Sequence, residues 1–193
     1  HGGIDNVYYN CTRAKDFLKA DGVTKFGIEK VPAIATRAVI LDMVALLGKD
    51  PVPEGTVFNR PEIEAALRRQ NLTINKGDVV IFYTGWTKLI GQDDKRYSSG
   101  EPGLGIDGAR YLASLNVAMV GADTWGLDAI PFEDPNIQWR VHQILLTENG
   151  IYIMENVNAE EAVRDGVYEG LFTLGPARIT GSVQAIINPI IVY

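Results

Sequence analysis

Apolar and polar positions fall in short alternating blocks along the chain. Residues 1–10 are polar, glycine-bearing and aromatic and predict a loop, followed by a short helix over 12–20 that stops at Asp21-Gly22. Pro32 marks a boundary before residues 36–44 (TRAVILDMV), a β-branched apolar run that predicts a buried strand. Residues 48–58 hold two glycines and two prolines and predict a loop. Asn59 is placed to N-cap a helix that carries Pro61 and Glu62 in its first turn, buries Ile63, Ala66 and Leu67, and ends near Asn71. Lys76-Gly77-Asp78 then turns into Val79-Val80-Ile81-Phe82-Tyr83, the strongest strand signal in the chain.

The second half repeats the alternation. Residues 84–101 predict a loop, 107–115 a helix and 117–121 a buried strand. A Pro- and Trp-bearing loop over 124–136 precedes a helix over 138–146, a strand over 151–154 and a short helix over 159–164. Residues 171–174 and 183–187 predict closing strands. Strands alternating with helices give an α/β domain. At 193 residues, against a prior of about 150 per domain, residues 1–193 are expected to form one domain.

Composition removes several classes of function. The chain is 46% hydrophobic, which a folded core requires and a disordered chain lacks. Its net charge is −6 with no Lys/Arg cluster, so no nucleic-acid partner is expected. No apolar run approaches the roughly 20 residues of a membrane span, so no membrane partner is expected either. One cysteine, Cys11, excludes an internal disulfide framework and leaves the compartment open between cytoplasmic and periplasmic or secreted. The chain starts His1-Gly2-Gly3, with neither Met nor a signal segment, which leads to the expectation that further residues precede it in the natural protein.

Gly103-Leu104-Gly105-Ile106-Asp107-Gly108 is a literal G-x-G-x-x-G. Dinucleotide binding needs those glycines directly after a buried strand, so that backbone amides reach a pyrophosphate. The preceding Tyr97-Ser98-Ser99-Gly100-Glu101-Pro102 does not supply one, and Glu101 would repel phosphate. A glycine-rich turn feeding a helix is the expected reading, and a nucleotide-dependent oxidoreductase is disfavoured. Nothing around Cys11 resembles a nucleophile signature. His142, on a helix, and Glu155, at the end of the next strand, make a nitrogen and an oxygen donor suited to a divalent metal; a partly buried histidine and a solvated glutamate would look the same. Asp123 follows a buried strand, where α/β proteins place their sites, although a turn or capping residue also sits there. Trp125 in the same loop would wall a pocket or pack in the core.

Taken in order, several blocks resemble the cyclase family of metal-dependent hydrolases, which includes bacterial kynurenine formamidase and isatin hydrolase. They are Lys76-Gly77-Asp78-Val79-Val80 through Tyr83-Thr84-Gly85-Trp86, Glu101-Pro102-Gly103-Leu104, Val120-Gly121-Ala122-Asp123-Thr124, His142, Gly150 to Asn156, and Gly181-Ser182. The resemblance implies a mixed β-sheet with flanking helices, of the swivelling β/β/α type. It implies a metal signature, H-x-x-x-H-x-D-x-x-x-H, of which His1 resembles the last histidine, a catalytic acid/base. His142 and Glu155 resemble the downstream ligands. The usual Gly-Ser-Pro-x-Arg stands here as Gly181-Ser182-Val183-Gln184-Ala185.

The resemblance also implies a reaction. A divalent metal, manganese or zinc, lowers the pKa of bound water and polarises a carbonyl, so that the carbon–nitrogen bond of an amide or lactam is hydrolysed. A histidine, here His1, would move the proton from water to the leaving nitrogen. Tyr8, Trp86, Asp123 and Trp125 are the candidate substrate-binding residues, the aromatic ones suiting a flat small-molecule substrate such as an N-formyl aryl amine or a fused lactam. Trp86 equally fits core packing. Family analogy implies a homodimer or higher homo-oligomer. The alternative function is a catalytically impaired metal- or ligand-binding member of the same family.

Overall fold

The computed structural model describes residues 3–193. Its centre is a six-stranded sheet: β1 (Ile34–Asp42), β2 (Val79–Tyr83), β3 (Met119–Ala122), β4 (Tyr152–Met154), β5 (Glu169–Leu174) and β6 (Ile190–Val192). The spatial order is β4-β3-β2-β1-β5-β6. The first four strands run parallel, with Ile40 opposite Ile81, Ile81 opposite Gly121 and Val120 opposite Ile153. The last two add antiparallel at the far edge. This is a mixed α/β architecture, as the alternation of blocks predicts.

Every residue of β2 is buried, because the sheet is covered on both faces. On one face Val39, Leu41, Val80, Phe82, Val120 and Ala122 meet three helical segments. These are α1 (Arg60–Gln70), α2 (Ile106–Ser114) and α3, an α-turn (Arg140–His142) that widens into a π-helix (Gln143–Glu148). On the other face Ala38, Ile40, Ile81 and Met119 meet Phe172, Leu174, Ala159 and Ala162. Glu62 reaches back to accept from the Asn59 amide at 2.9 Å, which fixes the start of α1 where the sequence places it. Among the described residues no helix is long and apolar enough to cross a membrane.

Several local expectations are corrected. The first strand runs over Ile34–Asp42, and Asp42 caps a short helix, Met43–Leu47, by accepting from the Ala45 amide. Residues 84–101 are not all loop: they hold a 3-10 turn, Trp86–Leu89, and a helix, Asp94–Ser99. Residues 12–20 form a single helical turn, Ala14–Phe17, between two-residue strands. The closing strand is Ile190–Val192 rather than 183–187; Val183 and Ile186 lie exposed, and the strand that pairs with β5 begins after Pro189, which has no amide to donate.

Candidate functional site

The parallel strands β2, β3 and β4 end side by side, and their carboxyl ends deliver Thr84, Asp123 and Glu155 to one rim of the sheet. Outside such strand ends is where open α/β sheets place ligands. The segment after β4 is held in place by backbone bonds: Asn156 N donates to Thr124 O at 2.8 Å and Val157 N to Ala122 O at 2.9 Å. Glu155 therefore hangs next to the end of β3.

His142 enters from α3 and is buried, 3% exposed. It sits where the α-turn gives way to the π-helix, a distortion common at functional positions. Its ring lies between two carboxylates. Nδ1 is 2.5 Å from Asp128 Oδ2, and Nε2 is 3.3 Å from Glu155 Oε1. The second Asp128 oxygen accepts from the Val141 amide at 3.1 Å, so Asp128 holds both the ring and the backbone before it. Burial alone would lower the His142 pKa; the hydrogen bonds and charges of Asp128 and Glu155 outweigh it and push it up to about 9.

Aromatic rings close one side. Trp139 has a left-handed backbone (φ 56°), and its ring meets His142 edge-on at 5.3 Å. Phe132 lies 5.3 Å from Trp139 and Trp125 6.4 Å from it. Trp125 Nε1 donates to Tyr97 O at 2.8 Å, and the Tyr97 hydroxyl donates to Asn156 Oδ1 at 2.5 Å.

Beneath the rim are two further buried carboxyl groups. Asp123 accepts from Thr84 N (2.8 Å), Thr84 Oγ1 (2.6 Å) and Trp86 N (3.1 Å). Burial pushes its pKa up to about 6, and these donors limit the rise. Glu101, fully buried, accepts from Gly126 N on both oxygens. Burial pushes it up to about 8, against the pull of the Gly126 and Trp125 amides.

The sequence-derived candidates separate on this geometry. His142 and Glu155 are brought together, and Trp125 joins them through Trp139. Asp123 is wholly enclosed and spends its oxygens on the turn after β2. Trp86 is also wholly enclosed; its Nε1 faces Tyr97 O at 3.3 Å and the Arg96 guanidinium lies 5.3 Å from its ring centre. Tyr8 packs edge-on against Phe17 at 5.0 Å, in an N-terminal segment where Gln143 Nε2 donates to Gly3 O at 3.4 Å. His1 lies outside the described residues. Sequence pattern alone does not single out Asp128 or Trp139, which the structure sets against the His142 ring. The only sequence signal for Asp128 is its place in a loop after a buried strand.

The glycine-rich motif has a packing role. A Cβ on Gly103 would lie 2.5 Å from the Asp128 carbonyl carbon and the Ala129 nitrogen, and one on Gly108 would collide with the Phe58 carbonyl. Two amides at the start of α2 are engaged by side chains, Ile106 N with Glu133 Oε2 and Gly108 N with Asn59 Oδ1.

Comparison with known proteins agrees with this architecture. The model of the family described as "Putative cyclase" matches residues 15–129. The chain belongs to the cyclase family. A crystal structure of a novel cyclase superposes on all of this cyclase-family chain with a TM-score of 0.88 and 30% identity, and the chain covers 66% of it. Isatin hydrolase A from Ralstonia solanacearum matches 84% of the chain at 18% identity and TM-score 0.70, with 62% of its own length covered. A "predicted metal-dependent hydrolase" from Bacillus stearothermophilus matches 79% at 20% identity and TM-score 0.57, with 61% covered. The chain thus spans less than two thirds of the length of these solved relatives. No curated protein matches it in sequence. At such identities the two hydrolases share the fold with this cyclase-family chain.

Among the described residues no group of three or more His, Cys, Asp and Glu side chains converges as a metal site. The two donors that do converge fit part of one. An imidazole whose Nδ1 is held by a carboxylate, with Nε2 turned to a second carboxylate, has the arrangement of a metal-ligating histidine and its outer partner.

Proposed function

We propose that this chain is part of a metal-dependent hydrolase that cleaves the carbon–nitrogen bond of an amide or lactam. His142 Nε2 and Glu155 would hold a divalent cation, manganese or zinc, with its other ligands supplied from outside residues 3–193. Such a cation, when bound, lowers the pKa of water towards ~7 and polarises a carbonyl. The observation that carries the reading is the line Asp128–His142–Glu155 at the strand ends. Asp128 fixes the imidazole orientation so that Nε2 faces Glu155. Trp125, Trp139 and Phe132 exclude water from one side and offer flat faces to an aromatic small-molecule substrate. His1 is the proposed proton carrier between water and the leaving nitrogen. A homodimer or larger assembly is proposed on family analogy.

The test is metal analysis of the purified full-length protein together with turnover of an N-formyl aryl amine and of isatin. Bound metal and turnover, both lost in His142→Ala and Glu155→Ala, support the proposal. Metal without turnover on either substrate favours the alternative, a binding member that has lost hydrolysis. Turnover that survives in both variants after metal removal overturns it.

A further inference from the structure

Glu101 touches neither His142 nor Glu155 by any hydrogen bond, yet it lies at the root of their arrangement. Its backbone pairs in both directions with Ile130, Glu101 N to Ile130 O at 2.8 Å and Ile130 N to Glu101 O at 2.9 Å. Its side chain turns the other way and accepts from Gly126 N at 2.9 and 3.1 Å. One residue therefore grips positions 126 and 130, and Asp128 stands midway between them. Leu104 N adds a bond to Leu127 O at 2.8 Å.

We propose that Glu101 is a positioning residue that staples residues 126–130 so that Asp128 meets His142 Nδ1. Two features point to this role beyond ordinary packing. A carboxyl group with no exposed surface is unfavourable to bury unless its oxygens are satisfied, and an aliphatic side chain would fill the same space without that penalty. The approach is also tight on both sides. A Cβ on Gly126 would lie 2.7 Å from Glu101 Oε1, and one on Gly103 would lie 2.5 Å from the backbone at Asp128 and Ala129. Glycine at these positions admits the staple. The short Asp128–His142 bond has little tolerance for displacement, since a shift of about 1 Å takes a donor–acceptor pair out of hydrogen-bond range.

The inference rests on the metal-ligand reading of His142 only for its functional consequence; the geometric part is tested without metal. In the metal-free full-length protein, nitrogen NMR of the imidazoles reports the state of His142 Nδ1, its signal assigned by its loss in His142→Gln and its change in Asp128→Asn. Glu101→Leu is expected to change the His142 signal as Asp128→Asn does, with far-UV circular dichroism unchanged. Glu101→Gln retains an acceptor for the Gly126 amide and is expected to restore the native signal. Gly126→Ala keeps glutamate at position 101 but displaces its carboxyl group, so it should reproduce the Glu101→Leu signal; it also serves if Glu101→Leu does not fold. In zinc titrations Glu101→Leu should lose about 10- to 100-fold in affinity, and Glu101→Gln less than about threefold. A native His142 signal in folded Glu101→Leu or in Gly126→Ala overturns the staple. The expected NMR pattern in a protein that binds no zinc upholds the staple and removes the metal reading instead.

Discussion

Asp128 Oδ2 lies 2.5 Å from His142 Nδ1, at the buried end of a line that continues through the ring to Glu155. This contact fixes which nitrogen faces the rim. Asp128→Asn should weaken binding of zinc or manganese by about 10- to 100-fold, the usual cost of losing an outer partner of a ligating histidine. It should also lower the His142 pKa from about 9 in the metal-free protein. Calorimetric metal titration and NMR titration check the two effects. Unchanged values in both would remove Asp128 from the site.

Stability of the metal-free protein should fall with rising pH above neutrality. The His142 pKa is raised from 6.5 to about 9, so the folded state holds this proton more tightly than the unfolded chain. The stabilisation is complete below the unfolded value and fades as pH climbs through the folded one, about 3 kcal/mol in all. Glu101, raised from 4.5 to about 8, acts in the same direction: the folded state favours the neutral acid, and its contribution is lost as pH rises between those values. Thermal melts at a series of pH values should show a declining midpoint, and His142→Gln should flatten the upper part of the decline. A midpoint that rises over this interval contradicts the assigned directions.

Asp123→Ala should destabilise the fold by about 2–4 kcal/mol, because it leaves Thr84 N and Trp86 N as buried donors without their acceptor. Denaturant unfolding measures it. A loss below about 0.5 kcal/mol would mean that water or a neighbouring oxygen replaces the carboxylate.

Gly108→Ala should cost about 1–3 kcal/mol, since the new methyl meets the Phe58 carbonyl and α2 must shift. Wild type should bind no NAD in a fluorescence titration. Saturable binding would revive the nucleotide reading of the glycine motif, whose amides are engaged by Glu133 and Asn59.

The parts of this fold legible in the sequence are those that local pattern dictates. Val79–Tyr83 is apolar at every position because it lies in the middle of a sheet covered on both faces. α1 starts at Asn59 because Pro61 and Glu62 are start signals that need no tertiary partner. His142 and Glu155 could be paired because each sits at an element end with donor chemistry. Asp128 could not, because its role comes from the close approach of α3, and the loop that carries it has no periodicity. The closing strand is not legible in composition for a related reason. Residues 183–187 and 190–192 are both rich in branched apolar side chains, and which run reaches β5 in register is set by the path of the chain, not by composition.

The rim marked by Asp123 and Glu155 lies just past the ends of β3 and β4, and the segments beyond it are tied back by the bonds from Asn156 N to Thr124 O and from Val157 N to Ala122 O. Leu127 and Val157 of those segments pack into the two core layers, so variation that leaves the sheet undisturbed is confined to the largely exposed stretch 131–138. A lineage with this scaffold can rewrite that stretch at little cost to the layer beneath, provided the residues that anchor Asp128 are left alone.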